Sequence, residues 1–254
     1  MTSSPKNIAP EPAEFGLLAM TGIAHEFSDR LSYLEGVALM EDAQRRRRDG
    51  AITDTILYFE HAPVITYGRS TPAEDMPTDE CDTPLVEVAR GGLATWHGPG
   101  QLIGYPVIDL ARRASGANPD IHQYLRAIEE GLRAYLENNF GLTAFIRSGH
   151  TGVWVGNEAS PRKIASIGIS ARRWISGHGF ALNIHPDLRA FRSFKPCGLN
   201  PAVMTSLERE LRRNRRGVRR LPTISQAART VHVYLTEALR AADFSPKSTE
   251  TPAP

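Results

Sequence analysis

Cys197 stands between Pro196 and Gly198. A free cysteine is most often a small buried hydrophobe. These flanks point elsewhere, because proline and glycine hold a rigid, open turn that presents a thiol better than it packs one. The thiolate is the nucleophile, and a thiol of ordinary acidity is mostly protonated at neutral pH. A catalytic role therefore needs a cationic neighbour or a base. Lys163, Lys195, His97, His178 and His185 are the candidates. Lys195 is adjacent in sequence but sits in an irregular segment, so its side chain need not face the sulfur. Lys163 opens an otherwise apolar strand. A lone strand lysine is usually a solvated edge residue; beside a thiol it can instead take and return a proton.

A second constellation runs from Arg90 to Pro106 and holds five of the 21 glycines in 17 residues. Glycine costs backbone entropy on folding, so such a cluster implies unusual dihedrals or close approach by another group. One reading is a hairpin with a glycine-rich turn. The other is a backbone cradle for a ligand, with Arg90 and His97 at its rim. Neither GxGxxG nor GxxxxGK[ST] is present, so the segment matches no phosphate-binding motif.

The elements that must position these residues follow from periodicity. Leu17–Ile23 reads as a first strand. A helix is expected from about Ser28 to Arg48, with Tyr33, Val37, Met40 and Gln44 on one stripe. Ser28 or Asp29 would cap it, Arg45–Arg48 suit the negative end of its dipole, and Gly50 ends it. Thr55–Glu60 and Val64–Tyr67 are strands broken by His61-Ala62-Pro63. The polar loop 71–83, which contains Cys81, is expected at the surface. Leu85–Ala89 and Val107–Leu110 read as strands flanking the glycine segment. Asp120 should cap a helix of about 120–139, closed by Gly141. Residues 142–185 read as β-structure, with turns at Ser148-Gly149 and near Ser176-Gly177. A helix starts at Thr205 or Ser206 and breaks near Gly217. Thr223 caps a last helix over about 224–242. Helices interleave with hairpin-connected strands, which predicts an α/β (α+β) fold with a mixed β-sheet and flanking helices.

At 254 residues the chain can bury one substantial core. A single domain over 14–243 is expected, between disordered polar tails at 1–13 and 244–254. No apolar run approaches a membrane span, and the first residues lack a signal-peptide pattern. Two distant cysteines make no disulfide framework, so a cytoplasmic location is the default. The formal net charge is only +2, yet arginines bunch at Arg45–Arg48 and at Arg209–Arg220, where they fill seven of twelve positions. The bland reading of the second run is solvated helix surface. The sharper one is a docking patch for an acidic partner. Near-neutral charge, no aromatic interleaving and no recognised motif argue against a nucleic-acid-binding module.

Several segments in fixed order carry a resemblance. They are Arg90-Gly91-Gly92, Thr95, His97-Gly98-Pro99-Gly100-Gln101 and Tyr105-Pro106, then Thr151-Gly152-Val153-Trp154-Val155. Lys163-Ile164-Ala165-Ser166-Ile167-Gly168, His178-Gly179-Phe180-Ala181-Leu182-Asn183 and Pro196-Cys197-Gly198 follow. Together they resemble the octanoyltransferase family, the octanoyl-[acyl carrier protein]:protein transferases that begin lipoate assembly. Glu60-His61-Ala62-Pro63-Val64, Thr66 and Gly68-Arg69 match the family's strand–turn segment. The likeness runs from about residue 30 to 242; the loop 71–83 and the segment 209–220 look less typical.

The resemblance implies a fold similar to the catalytic domain of biotin and lipoate protein ligases. It implies Cys197 as nucleophile and Lys163 as its proton partner, with no cofactor and no metal. The acyl-binding segments would be Arg90, Gly91, Gly92, Leu93, Ala94, Thr95, Trp96 and His97, then Ser166, Ile167 and Gly168, then Gly179, Phe180 and Ala181. The implied partners are octanoyl-acyl carrier protein and lipoyl domains, with no nucleic acid and no membrane. Thioester to thioester is nearly balanced and thioester to amide is downhill, so no ATP is needed. Backbone N–H groups near Gly198 or in 178–181 are candidate oxyanion donors. The alternative is an ATP-dependent lipoate or biotin ligase of the same fold, which the Pro-Cys-Gly turn disfavours. A cysteine hydrolase is weaker still, because no Cys–His signature of such enzymes appears.

Overall fold

The computed structural model describes residues 23–77, 81–113, 115–214 and 220–244. The expected tail 1–13, most of the expected first strand and the arginines at 215, 216 and 219 lie outside them. Among the described residues, ten strands form two sheets. They are β1 (Ala24–Leu31), β2 (Thr55–His61), β3 (Val64–Tyr67), β4 (Leu85–Glu87), β5 (Thr95–His97), β6 (Gln101–Val107), β7 (Ala144–Arg147), β8 (His150–Asn157), β9 (Ser160–Arg172) and β10 (Ile175–Asn183). The helices are α1 (Tyr33–Arg48), α2 (Ile121–Phe140), α3 (Leu207–Arg213) and α4 (Ile224–Ala241).

The large sheet has the order β1-β2-β6-β10-β9-β8-β7. Only β1 and β2 pair in parallel within it; the remaining neighbours are antiparallel. The small sheet has β3 between a parallel β4 and an antiparallel β5. This is the expected mixed sheet with flanking helices.

The central strands are apolar on both faces because both are covered. On β2, Ile56 and Tyr58 join α2 and α4 in the main core, where Leu132, Val231 and Leu235 are buried. Leu57 and Phe59 point the other way, against Met40 and Ala43 of α1. The small sheet carries its own cluster, in which Ile65, Trp96, Phe191 and Met204 pack. It stands over the α1 side of β9 and β10, and the space left between is the site described below.

Some expectations are corrected. Ser28 and Asp29 cap no helix; they lie within β1, whose edge pairs with β2. Helix α1 starts after Ser32, where a full capping box forms: Glu35 N–H donates to Ser32 Oγ and Ser32 N–H donates to Glu35 Oε2. The strand expected at 107–110 lies earlier, inside the glycine segment. Gly104 makes that possible, because a Cβ there would sit 2.3 Å from the Phe180 ring. The turn expected near Ser176-Gly177 is at Arg173-Trp174, both left-handed with φ of 51° and 63°. Two successive positive φ values are what a tight hairpin turn requires. The loop 71–83 is not all surface, since Asp75 is buried. Phe244, placed by sequence in the C-terminal tail, is fully buried in the main core. The remaining helices start at Asp120, Ser206 and Thr223 as expected.

Candidate active site

The Pro196–Gly198 segment is a single 3-10 turn in which Cys197 takes φ 55°, ψ 30°. That left-handed conformation is uncommon for a residue with a side chain. It is over-determined here. Cys197 N–H donates to Ala94 O at 2.8 Å, Gly198 N–H to Lys195 O at 3.1 Å and Leu199 N–H to Pro196 O at 3.0 Å. Asp75 anchors the turn from outside: its carbonyl accepts from Lys195 N–H at 3.2 Å, and its carboxylate holds Lys195 Nζ at 3.1 Å.

Cys197 opens onto a cavity of about 240 Å³ bounded by β9, β10, the 90–97 segment and the start of α1. Lys163 lines the same cavity. It is 3% exposed, and its Nζ donates to Thr151 O at 2.7 Å and lies 5.4 Å from the Trp154 ring centre. It is therefore a buried inner lysine, not a solvated edge residue. Ser166 Oγ stands 3.9 Å from Cys197 Sγ. Of the other candidate partners, Lys195 is spent on Asp75 and His185 faces a separate groove.

The glycine segment forms a cradle, as its composition suggests. Arg90 fastens it: Nη2 donates to Thr66 Oγ1 at 2.7 Å, and Nη1 to the carbonyls of Gly91 at 3.0 Å and Leu93 at 3.3 Å. Gly91 N–H donates to Ile169 O at 3.2 Å, tying the loop to β9. Gly168 permits that approach, since a Cβ there would meet Gly91 O at 3.0 Å. Gly179 similarly lets β10 close on β6; its Cβ would be 2.2 Å from Gly104 O.

Of the residues assigned to acyl binding, Arg90, Gly92, Leu93, Thr95, His97, Ser166, Ile167, Gly168, Gly179, Phe180 and Ala181 line the cavity. Gly91, Ala94 and Trp96 do not. Gly91 and Ala94 contribute backbone contacts, and Trp96 turns into the small core against Phe191, ring centres 5.5 Å apart. An apolar side chain on a short strand has two possible faces, and the sequence does not say which sheet face is the cavity. Tyr33, Tyr105, His178 and Leu199 line it as well. Tyr33 has the periodicity of an ordinary helix core stripe, so no pattern separates it from packing.

The imidazoles are held neutral. Burial pushes His178 down to about 4, helped by the nearby Arg90 charge. Burial likewise takes His61 to about 4, and burial plus the charges of His61 and Arg90 push His97 well below its ordinary value. Gln101 Oε1 accepts from His97 Nδ1 at 2.8 Å, which places the proton there and leaves Nε2 as an acceptor. Two hydroxyls on the cavity wall, Tyr33 OH and Thr95 Oγ1, are buried with no partner among the described residues. No group of three or more His, Cys, Asp or Glu among the described residues is arranged to hold a metal.

The expected oxyanion donor near Gly198 is corrected, because that N–H is already bonded within the turn. In the basic segment, Arg212 pairs with Glu208 and Arg213 lies 4.0 Å from Glu210. Both arginines are exposed on α3.

Residues 32–226 match the family model of the lipoyl protein ligase A/B catalytic domain. The chain is 40% identical over 218 residues to an octanoyltransferase of Acidothermus cellulolyticus, covering 85% of this chain and 92% of that one. It is 39% identical over 220 residues to an octanoyltransferase of Cutibacterium acnes, covering 86% and 78%. Among solved structures, the fold is similar to lipoate-protein ligase A bound with ATP, with a TM-score of 0.60 at 14% identity over 91% of this chain and 88% of that one. It is also similar to a biotin protein ligase from Aquifex aeolicus in complex with biotin and ATP, with a TM-score of 0.51 at 10% identity over 88% and 73%. Identity that low shows the fold alone. The relatives near 40%, which align along most of both chains, show more: this chain belongs to the octanoyltransferase family within the lipoyl protein ligase A/B catalytic domains.

Proposed function

We propose that the protein transfers an octanoyl group from octanoyl-acyl carrier protein to a lysine of a lipoyl domain, through an acyl-enzyme on Cys197. One observation carries this reading: Cys197, in its left-handed turn, and Lys163, from a strand 34 residues earlier, wall one cavity. Lys163 takes the thiol proton. The thiolate attacks the thioester carbonyl, and the carrier thiolate leaves with the proton that Lys163 returns. The acceptor lysine then enters as the neutral amine, attacks the Cys197 thioester and passes a proton to the departing sulfur by way of Lys163. Atoms and charge balance without ATP.

The turn's amides are engaged and His178 N–H donates to Met40 Sδ, so the hydroxyls of Ser166 and Thr95 and the ammonium of Lys163 join the amides of 179–181 as the groups to meet the oxyanion. The eight-carbon tail lies along Leu93, Ala181 and the backbone of Ile167 and Phe180, whose side chains turn into the main core. Burying its methylenes contributes roughly 0.8 kcal/mol each.

Incubation with octanoyl-acyl carrier protein is expected to leave an octanoyl adduct that peptide mapping places on Cys197. An adduct on Cys81, or native-rate transfer by Cys197→Ala, would overturn the mechanism. Lys163→Ala should fold and yet lose turnover. The fold likeness to a lipoate ligase with bound ATP raises a second reading, acid activation by ATP. Transfer from the carrier thioester in nucleotide-free buffer decides between them.

A further inference from the structure

Glu129 has no place in the scheme above. It lies on α2, faces inward and is 2% exposed. A carboxylate at that depth is costly unless something specific holds it. Its Oε1 accepts from Gly152 N–H at 2.9 Å. The carbonyl of the same peptide unit, Thr151 O, accepts from Lys163 Nζ at 2.7 Å. One peptide plane thus carries the carboxylate on its N–H and the ammonium on its C=O.

We propose that Glu129 is a positioning residue that acts on Lys163 through the Thr151–Gly152 peptide. The inference rests on the reading of Lys163 as the proton partner of Cys197. A peptide bonded at both ends is polarised cooperatively, and the charged acceptor at the N–H strengthens the carbonyl as an acceptor for the ammonium. The peptide's orientation needs glycine. Gly152 has φ 124°, and a Cβ there would lie 2.3 Å from Ala165 O and 3.0 Å from Lys163 Cε. Any other residue would push against the lysine stem itself.

The charged groups facing Glu129 are few. On its own helix, Arg126 Nη1 lies 2.9 Å from Oε2, close enough for an ion pair though without hydrogen-bond geometry, and Glu130 opposes. From β9 comes Lys163. Burial pushes the Glu129 carboxyl up; the Gly152 amide and the cations Arg126 and Lys163 pull it back. A merely structural clamp between α2 and β8 would use the same amide contact, so the test must read the lysine and not only the fold.

The measurement is alkylation of Cys197 in the full chain against pH, alongside steady-state transfer, for Glu129→Ala, Glu129→Gln, Lys163→Ala and the Glu129→Ala/Lys163→Ala pair. Glu129→Ala is expected to slow alkylation near neutral pH about tenfold, the effect of roughly one pKa unit. It should move the pH profile and lower kcat with little change in KM. Glu129→Gln keeps the size and an acceptor for Gly152 N–H, so it should recover part of the loss; it carries the test alone should the alanine variant not fold. In the Lys163→Ala background, removing Glu129 should change nothing further. An unchanged pH profile and kcat in the Glu129 variants, with Lys163→Ala slow, overturns the role of Glu129 alone. Equal slowing with and without Lys163 also overturns it. Wild-type alkylation by Lys163→Ala overturns the lysine reading and this inference together.

Discussion

Cys197 occupies a backbone conformation that suits glycine. Its φ of 55° puts Cβ close to the following carbonyl, at a cost on the order of 1–2 kcal/mol. Two substitutions isolate that cost. Cys197→Ala keeps the Cβ, and Cys197→Gly removes it at the expense of a floppier unfolded chain. Chemical denaturation should find the glycine variant more stable than the alanine variant by about 1 kcal/mol. A glycine variant less stable than the alanine variant would mean that the turn is unstrained. The cysteine was legible in the sequence because a thiol between proline and glycine is a poor packing unit. Lys163 was legible because a charge in an apolar strand is conspicuous. Glu129 and Tyr33 were not, since each fits an amphipathic helix repeat and only the tertiary structure reveals what their polar ends meet. Trp96 misled for the opposite reason: it sits among cavity residues in sequence while its ring faces the small core.

At the scale of elements, α1 shows where composition stops informing. Four arginines end it, and all four suit the helix dipole equally well on paper. In the fold Arg45, Arg46 and Arg48 are exposed, whereas Arg47 is buried and its Nε lies 2.6 Å from Asp54 Oδ1. Asp54 also accepts from Asp109 N–H at 2.9 Å, and Arg47 Nη2 lies 3.7 Å from Asp109 Oδ2. The pair therefore ties the end of α1 to the start of β2 and the end of β6. Removing one partner of a buried pair strands the other charge. Arg47→Ala should cost roughly 3–5 kcal/mol, while Arg46→Ala should stay within about 0.5 kcal/mol. Comparable denaturation midpoints for the two would refute the assignment. Helix starts were legible wherever a capping residue preceded a clear stripe, as at Asp120 and Thr223. The start of α1 was not, because Ser28 and Ser32 both offer a cap and only the pairing of β1 with β2 chooses between them.

The molecule as a whole buries neutral histidines, and that sets its response to acid. His232 on α4 is pushed to about 4, first by burial and then by the charge of His25, whose ring centre is 4.4 Å away. His232 Nδ1 lies 3.4 Å from Tyr58 OH and Nε2 3.2 Å from Ile23 O, so it fastens α4 to the sheet edge. His61 and His178 are likewise held near 4, His178 in the cavity wall and His61 buried behind it against the His97 ring. An unfolded histidine takes its proton near 6.5. The folded values are depressed, so the unfolded state binds more protons between the two limits, and stability rises with pH there. The contribution is complete above about 6.5 and is lost as pH falls from there toward 4. The melting temperature should accordingly hold steady from pH 8 to 7 and fall across that window, in addition to any loss from carboxylates. His232→Gln separates the terms, since glutamine keeps polar contacts and cannot take the proton. It lies away from the Cys197 cavity, so transfer at neutral pH should be native. Relative to wild type, the variant should lose less stability between pH 7 and pH 4, by as much as roughly 3 kcal/mol. Parallel stability–pH curves for the two proteins would show that folding does not move the His232 pKa, and would refute its being held neutral by burial.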